Sequence, residues 1–248
     1  MRTLLALLVF SCLIAVPLRA QSDSDYVDLP EPRRGGGGII GFGGGVSGTM
    51  ALYNMTDLNS QLAAKQFPAL SDKGMFLFGG HGYAYIVLVP NLRIGGMGAG
   101  GSIETIERLA GTYRSSKFAT SFGGVTLEYV IPFKRLHLAF GGMLGGGTRT
   151  LTLTQASDRD KHWSGLFDPL GDIRHELTQS FFAWQPWASL EWEFHPLAVL
   201  SLTGGWSGAR NGAWRLDNAF DVQDVPDFKL DRAFVRLGLT VGFFLPEE

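Results

Sequence analysis

The stretch of sequence that decides the fold is Phe234-Val235-Arg236-Leu237-Gly238-Leu239-Thr240-Val241-Gly242-Phe243-Phe244-Leu245. Every second residue is apolar, and these residues are Val235, Leu237, Leu239, Val241, Phe243 and Leu245. The residues between them include Arg236, Thr240 and two glycines. Successive side chains of a β-strand point to opposite faces, so this alternation predicts a strand with one wholly apolar face.

The same alternation recurs in four earlier segments. Their apolar faces are Val125, Leu127, Tyr129, Ile131 and Phe133; Leu136, Leu138, Phe140 and Leu144; Phe182, Trp184, Ala188, Leu190, Trp192 and Phe194; and Ala198, Leu200, Leu202 and Trp206. Three glycine-rich segments alternate more weakly, at residues 37–50, 75–89 and 91–102. Together with the C-terminal segment, these patterns predict eight strands and an all-β fold.

The connections between the predicted strands alternate in length. The short ones are Pro90-Asn91, Pro132 to Arg135 and His195-Pro196. The long ones are residues 51–73, 104–113, 155–178 and 209–231. An even number of strands with short turns at one end and long loops at the other is the layout of an antiparallel up-and-down transmembrane β-barrel, and it places both termini at the short-turn end.

The composition excludes several other classes. Glycine accounts for 34 of 248 residues, hydrophobic residues for 45% and charged residues for 18%, with a formal net charge of −2. Disordered chains combine low hydrophobicity with high net charge, and collagen requires a glycine at every third position. No basic surface that would indicate nucleic-acid binding is expected either.

The first twenty residues have the pattern of a signal peptide. Arg2 supplies the positive start, Leu4–Val16 is a nearly unbroken apolar run, and Leu18-Arg19-Ala20 is a plausible cleavage site. The run is too short to span a membrane as a helix, which takes about 20 residues. We therefore predict a signal peptide at 1–20, an extended lead-in at 21–35 and a barrel at 36–246.

Cys12 is the one cysteine, and it lies within the predicted signal peptide. The exported chain is therefore expected to form no disulfide and to use no thiolate chemistry. The remaining candidates for metal binding are His81, His137, His175 and His195, and their spacing fits no metal-ligand motif. We expect no metal and no cofactor.

Alternation alone does not separate a membrane barrel from a soluble one, which points its apolar face inward. Two features favour the membrane barrel. The face opposite the apolar one is rich in small residues, as the narrow interior of an eight-stranded barrel requires; these are Gly124, Ala139, Gly141, Ser189, Ser201, Thr203, Gly205, Gly238, Thr240 and Gly242. Aromatic residues on the apolar faces also fall into two groups suited to membrane girdles.

The two girdles are predicted from Trp184 and Trp192, which lie on one face about 21 Å apart along the axis of a tilted barrel. The lower girdle contains Tyr129, Phe133, Trp192, Phe194 and Phe243. The upper girdle contains Phe182, Trp184 and Trp206. A soluble periplasmic barrel that binds a small apolar ligand stays open as the alternative.

From about Gly36 to Leu245 the chain resembles the small eight-stranded outer-membrane proteins of Gram-negative-type bacteria. The resemblance consists of the signal peptide, the alternating strands, the short turns and the aromatic residues Phe243 and Phe244 in the last strand. It implies an integral outer-membrane protein with a structural or surface-interaction role. Its contacts would be outer-membrane lipid and a surface partner bound through loops 155–178 and 209–231, while the oligomeric state stays open.

Two motifs raise the question of enzymatic activity. Lipid A deacylases, which are outer-membrane barrels, use a His-x-Ser pair with a downstream glutamate, and His162, Ser164 and Glu176 are similar to that set. The asparagine usual after the serine is Gly165 here, so we expect no catalysis while keeping a lipid-modifying hydrolase as an alternative. The glycine pattern at 96–101 lacks the βαβ surroundings of a dinucleotide site.

The strand registers predict a cluster of charges inside the barrel near the short turns. Arg93, Glu128, Glu191 and Glu193 all fall on inward faces close to that end, and His137 follows the turn at the same level. Charges in so narrow a lumen must pair, because an isolated buried ion is costly. Such a cluster would close the barrel and make it a poor channel.

A helix is predicted at Met55 to Gln66 in the first long loop. Met55, Leu58 and Leu62 share one face, and Pro68 follows the end of the pattern. The sequence leaves three roles open for this helix in loop 51–73. It could be a lid over the barrel mouth, a helix at the membrane surface or a local cap on apolar loop residues.

Overall fold

The computed structural model describes residues 39–109, 111–157, 172–217, 219–223 and 232–246, which belong to one compact unit. The predicted signal peptide at 1–20, the lead-in at 21–35 and the candidates His162 and Ser164 lie outside the described residues. Parts of the predicted loops 155–178 and 209–231 lie outside them as well.

The described chain is almost entirely antiparallel β-structure with one short helix. The strands are β1 (Ile39–Ala51), β2 (Met75–Tyr85), β3 (Leu92–Leu109), β4 (Thr112–Phe133), β5 (Leu136–Ser157), β6 (Ile173–His195), β7 (Ala198–Leu216), β8 (Phe220–Val222) and β9 (Arg232–Pro246). The helix α1 (Thr56–Ala64) lies in the connection between β1 and β2, as the sequence predicted.

Eight of the strands form a closed ring. Each strand from β1 to β7 pairs antiparallel with the next, β7 pairs with β9, and β9 pairs with β1. The three-residue β8 pairs only with the end of β7, so it lengthens one hairpin without entering the ring. The predicted eight-stranded up-and-down barrel is confirmed.

Three short connections lie at one end of the barrel, which we call the tight-turn end. They are residues 86–91, Lys134-Arg135 and Pro196-Leu197. Lys134 adopts a φ of 56°, in the left-handed region that a two-residue hairpin turn requires. Ile39 pairs with Pro246 at this same end, so the first and last strands begin and finish where they were predicted to. The opposite end is called the loop end.

Several predicted boundaries are wrong because the strands extend further toward the loop end. The predicted long loop 104–113 is instead the close of a strand pair, in which Leu109 faces Thr112 and Gly111 has a φ of 76°. β5 continues to Ser157, and β6 already begins at Ile173. These segments carry polar residues on both faces, so hydrophobic alternation fades while backbone pairing continues.

The opposite error occurs at residues 75–89, where β2 ends at Tyr85 and the chain turns. Val87, Leu88 and Val89 are apolar and prolong the strand-like pattern, yet they form an exposed turn. The predicted end of this strand is therefore wrong, because apolar residues also occur in an exposed turn.

The apolar faces of the strands point outward. On β9, Val235, Leu237, Leu239 and Val241 are each at least 41% exposed, while Arg236 between them is 7% exposed. On β6, Trp184, Leu190 and Trp192 are likewise exposed, and Glu191 is buried. This arrangement is the reverse of a soluble barrel and matches a barrel surrounded by lipid. The alternative of a soluble barrel around a small apolar ligand is therefore not supported.

Among the residues that the structure describes, no helix is long and apolar enough to cross a membrane.

Candidate functional site

The barrel lumen holds a buried ion-pair cluster near the tight-turn end. Arg93 and Glu128 are direct neighbours across the β3–β4 pair. The Nε atom of Arg93 donates to Oε2 of Glu128 at 2.9 Å, and its Nη1 atom donates to Oε2 of Glu191 at 3.0 Å. Its Nη2 atom donates to both carboxylates. One guanidinium thus bridges two carboxylates, in charge-assisted bonds stronger than neutral ones.

Two features of the surrounding sheet make this bridge possible. Gly141 lies opposite Glu128 on β5, and a Cβ atom at that position would lie 2.5 Å from Cγ of Glu128. Glycine therefore leaves the space that the Glu128 side chain occupies. The guanidinium of Arg93 also lies 4.0 Å from the centre of the Tyr83 ring, which covers one face of the cation.

The other two members of the sequence-predicted cluster form a separate pair. Nε2 of His137 lies 3.6 Å from Oε2 of Glu193. His137 is buried, whereas the Glu193 side chain is 29% exposed toward the tight-turn end. The five residues therefore form two adjacent groups, with Arg93, Glu128 and Glu191 in one and His137 and Glu193 in the other.

A second layer, nearer the middle of the lumen, is centred on Arg236. Its guanidinium lies 4.7 Å from the Trp187 ring centre and 5.4 Å from that of Phe234. Its Nη1 atom donates to the thioether sulfur of Met97 at 2.9 Å, a weak acceptor. Strand alternation predicts that Arg236 lies on the inward face, but it predicts none of these partners. Trp187 has the same parity as Gln185 and Ser189, and that parity could have placed it inward.

A third layer lies toward the loop end around Arg149. Its Nη1 atom donates to Oδ1 of Asn211 at 2.7 Å, and its guanidinium lies 4.2 Å from the Phe181 ring centre. Gln179 accepts a longer bond of 3.4 Å from the same Nη1 atom. This layer was not predicted, because in the segment around Arg149 the outer face carries threonines and the inward face carries Leu151 and Leu153, the reverse of the pattern in the other strands.

Helix α1 closes the loop end of the lumen. Leu58 and Leu62 are buried in one apolar cluster with Phe118, Leu151 and Trp214. Asn59 fixes the chain that returns from the helix, because its side chain donates to the carbonyl of Leu70 at 2.8 Å and accepts from the amide of Leu70 at 2.8 Å. The helix therefore acts as a cap packed into the barrel. Of the roles that the sequence left open, this packing excludes a helix lying at the membrane surface.

The segment that leads into the cap is also anchored in the cluster. Tyr53 and Met55 are buried there. Burial raises the pKa of Tyr53 to about 12, against the opposing charge of Arg149. The phenol is therefore neutral at physiological pH.

The docking of α1 can be tested by placing a charge in its buried face. We expect Leu62→Asp to release the cap, because an unpaired carboxylate would be buried among apolar side chains. Limited trypsin digestion should then cleave after the exposed Lys65 while the barrel remains folded. Gln61→Asp, on the exposed face of the same helix, is the control and should keep Lys65 protected. Equal cleavage of both variants would contradict the docking.

Of the three enzyme candidates, Glu176 alone lies among the described residues. Glu176 lies on β6, where its carboxylate is 3.7 Å from Nη2 of Arg174. His162 and Ser164 lie outside the described residues, so the expectation of no catalysis stays a prediction. The glycine pattern at 96–101 lies within β3, where it forms no phosphate-binding loop. No group of three or more His, Cys, Asp or Glu side chains able to hold a metal occurs among the described residues.

Four strands continue toward the loop end beyond the outward apolar surface of the barrel, and we call this part the sheet extension. The sheet extension consists of residues 102–109, 112–121, 148–157 and 173–180. A polar row crosses its outer surface, because Glu104 is paired with Lys117, Lys117 with Thr152, and Thr152 with Glu176. A groove of about 450 Å³ follows this row. The outer face of these strands thus changes from apolar to polar above Phe182.

The sequence-predicted girdle aromatics all lie on the outer surface. They are Tyr129, Phe133, Phe182, Trp184, Trp192, Phe194, Trp206 and Phe243, each at least 45% exposed. The five assigned to the lower girdle lie toward the tight-turn end, and the three assigned to the upper girdle lie toward the loop end. Their position at the two faces of a membrane stays a prediction.

Comparisons with known proteins return only structural likenesses. No protein-family model matches the chain, and no curated protein matches it. The attachment invasion locus protein Ail of Yersinia pestis is 13% identical and covers 84% of this chain and 99% of its own, with a TM-score of 0.34. A major outer membrane protein of Thermus thermophilus is 9% identical over 82% of this chain and 99% of its own, with a TM-score of 0.40.

A third solved structure is the outer membrane protease OmpT of Escherichia coli. It is 12% identical and covers 84% of this chain and 95% of its own, with a TM-score of 0.30. Identities and TM-scores this low leave the fold of this chain to be argued from its own strand pairing and its outward apolar faces.

Proposed function

We propose that the protein is an integral outer-membrane β-barrel that conducts no solutes and presents the sheet extension at the cell surface. The observation that carries the proposal is the filled lumen. Arg93 with its two carboxylates, Arg236 with Trp187, and the α1 cap occupy three successive levels. An eight-stranded barrel has room for side chains but not for a channel beside them.

The outward apolar faces support the membrane location. A water-exposed surface carrying Leu237, Leu239 and Val241 on one strand and Phe182, Trp184 and Leu190 on another would be a very large apolar patch for a soluble monomer. A lipid-facing band removes that cost because the surroundings are hydrocarbon. In this orientation the tight-turn end faces the periplasm and the sheet extension faces the exterior of the cell.

The filled lumen predicts the result of a conductance experiment. The purified protein reconstituted in a planar lipid bilayer should produce no stepwise conductance, because the side chains of the cluster, of the Arg236 layer and of the α1 cap fill the described lumen. A general porin reconstituted in the same bilayer is the positive control. Regular, reproducible steps from the unmodified protein would contradict the closed-barrel proposal.

The proposed orientation predicts which end a membrane-impermeant reagent reaches. Cys12 is the one natural cysteine and is expected to leave with the signal peptide, so an introduced cysteine becomes a unique label site. We expect Lys117→Cys, on the sheet extension, to react with a membrane-impermeant maleimide on intact cells. Lys134→Cys, at the tight-turn end, is the matched control and should react only after the outer membrane is permeabilised. The reverse pattern would contradict the orientation.

A further inference from the structure

A cavity of about 280 Å³ opens at the tight-turn end, directly below the ion-pair cluster. Its walls include the rings of Tyr83, Tyr85 and Phe244 and the side chains of Glu193 and His137. The volume lies just below the range of about 300–1,000 Å³ occupied by drug-sized ligands, so a smaller molecule fits. Neither the closed-barrel proposal nor the α1 cap accounts for this space.

The negative charge of the cavity is incompletely balanced. Glu191 also lines it, and that carboxylate already accepts hydrogen bonds from Arg93, which it shares with Glu128. Among the described residues, the Glu193 carboxylate has one ion-pair contact, with Nε2 of His137 at 3.6 Å. Lys134 lines the same cavity and forms no ion pair with a described carboxylate. The Glu193 carboxylate is therefore available to a cation that enters from the tight-turn end.

The aromatic walls favour a particular kind of cation. Tyr83 and Tyr85 meet edge to face, with ring centres 6.0 Å apart, and Tyr83 lies 6.5 Å from Phe244. The faces of aromatic rings attract cations, and cages of such rings bind substituted ammonium groups. A small inorganic ion needs convergent oxygen ligands, which these three rings do not supply. The walls thus fit an organic ammonium group with alkyl substituents.

His137 adds a polar group to the wall of this cavity. Its side chain is buried, and its Nε2 atom lies 3.6 Å from Oε2 of Glu193. The imidazole and the carboxylate thus form a polar side of a cavity whose other walls include three aromatic rings.

We propose that this cavity binds a small soluble organic cation bearing an ammonium group. The carboxylate of Glu193 pairs with the positive charge, and Tyr83, Tyr85 and Phe244 cover the alkyl substituents. The ligand reaches the site from the tight-turn end and stops below Arg93. The barrel therefore carries a receptor-like pocket without carrying a through channel.

The decisive probes are choline and dimethylbutanol, its neutral isostere. Both have the same shape, but only choline is charged. Isothermal titration calorimetry should use the protein in a maltoside detergent, because detergents with choline or amine-oxide head groups would compete for the site. We expect saturable binding of choline with one site per chain, and binding of dimethylbutanol at least roughly tenfold weaker, as the cation–π and ion-pair contacts are lost.

Three variants connect the binding to these residues. Glu193→Gln should weaken choline binding roughly tenfold or more, and Tyr85→Leu should weaken it by a similar factor, whereas Tyr85→Phe keeps the ring and should retain binding. As a control, Glu104→Gln removes a carboxylate at the opposite end of the barrel and should leave the affinity unchanged. Heat-modifiable gel migration verifies that each variant is folded.

Three outcomes would overturn the proposal. They are the absence of saturable choline binding to the folded protein, equal affinities for choline and dimethylbutanol, and an unchanged choline affinity in folded Glu193→Gln. The second outcome would reduce the site to an apolar cavity. Bilayer conductance is measured separately, so a failure of this proposal is distinguishable from a failure of the closed-barrel proposal.

Discussion

Replacing Arg93 with Met should lower the free energy of unfolding by about 3–5 kcal/mol, the cost typical of breaking a buried ion pair by removing one partner. Arg93 is 3% exposed and is the cation that bridges Glu128 and Glu191. Its removal leaves two carboxylates buried close together without the guanidinium between them. The measurement is urea-induced unfolding in lipid vesicles, followed by tryptophan fluorescence.

A triple variant separates the lost charge from lost packing. Arg93→Met combined with Glu128→Gln and Glu191→Gln removes the cation and both anions of the cluster, and it should recover most of the stability because no carboxylate of the cluster is left buried without its guanidinium. If Arg93→Met fails to fold, recovery of folding by the triple variant carries the same information. A single variant that changes stability by less than about 0.5 kcal/mol would show that the cluster is not energetically coupled.

Placing an arginine in the middle of the outward apolar surface should also lower the free energy of unfolding by several kcal/mol. Leu239 lies on β9 between Leu200 of β7 and Val46 of β1, and all three side chains are on the outer face. Leu239→Arg should lower the free energy of unfolding by about 2–4 kcal/mol, because a guanidinium near the bilayer midplane is poorly solvated. The same urea titration in vesicles measures the change.

The matched control is Ser180→Arg on β6. Ser180 faces outward and is exposed, but it lies above Phe182, where the outer surface becomes polar. Near the membrane interface an arginine costs only about 0–1 kcal/mol. Equal destabilisation by the two substitutions would contradict a lipid belt bounded at Phe182, and no effect of Leu239→Arg would contradict the belt itself.

The alternation of apolar and polar residues predicted the strands correctly where one face of the strand meets lipid. Leu237 and Leu239 had to be apolar, and Arg236 between them had to point inward, because the side-chain period of a strand is two. The same rule failed in the sheet extension, where water surrounds the outer face and Thr150, Thr152 and Thr154 serve as well as leucine would. Strand pairing there depends on backbone hydrogen bonds, which form whether the side chains are polar or apolar.

For the charged residues, the sequence predicted the position along the barrel but not the individual contacts. Parity and distance from the turns placed Arg93, Glu128 and Glu191 on inward faces near one end. Which carboxylates meet the guanidinium depends on the register of β3, β4, β5 and β6 together, and on the space that Gly141 leaves. The separate pair of His137 with Glu193 follows from that register and not from any local motif.

The sequence by itself determined the number of barrel strands, the face each presents to the outside and the end at which the short turns lie. All of these are local consequences of strand periodicity and turn length. Only the tertiary structure decided that α1 caps the lumen, that Arg236 lies against Trp187, and that Tyr83, Tyr85 and Phe244 surround a cavity below Arg93. Those contacts join strands that are distant in sequence, and closing the ring with its particular tilt and register is what brings them within reach of one another.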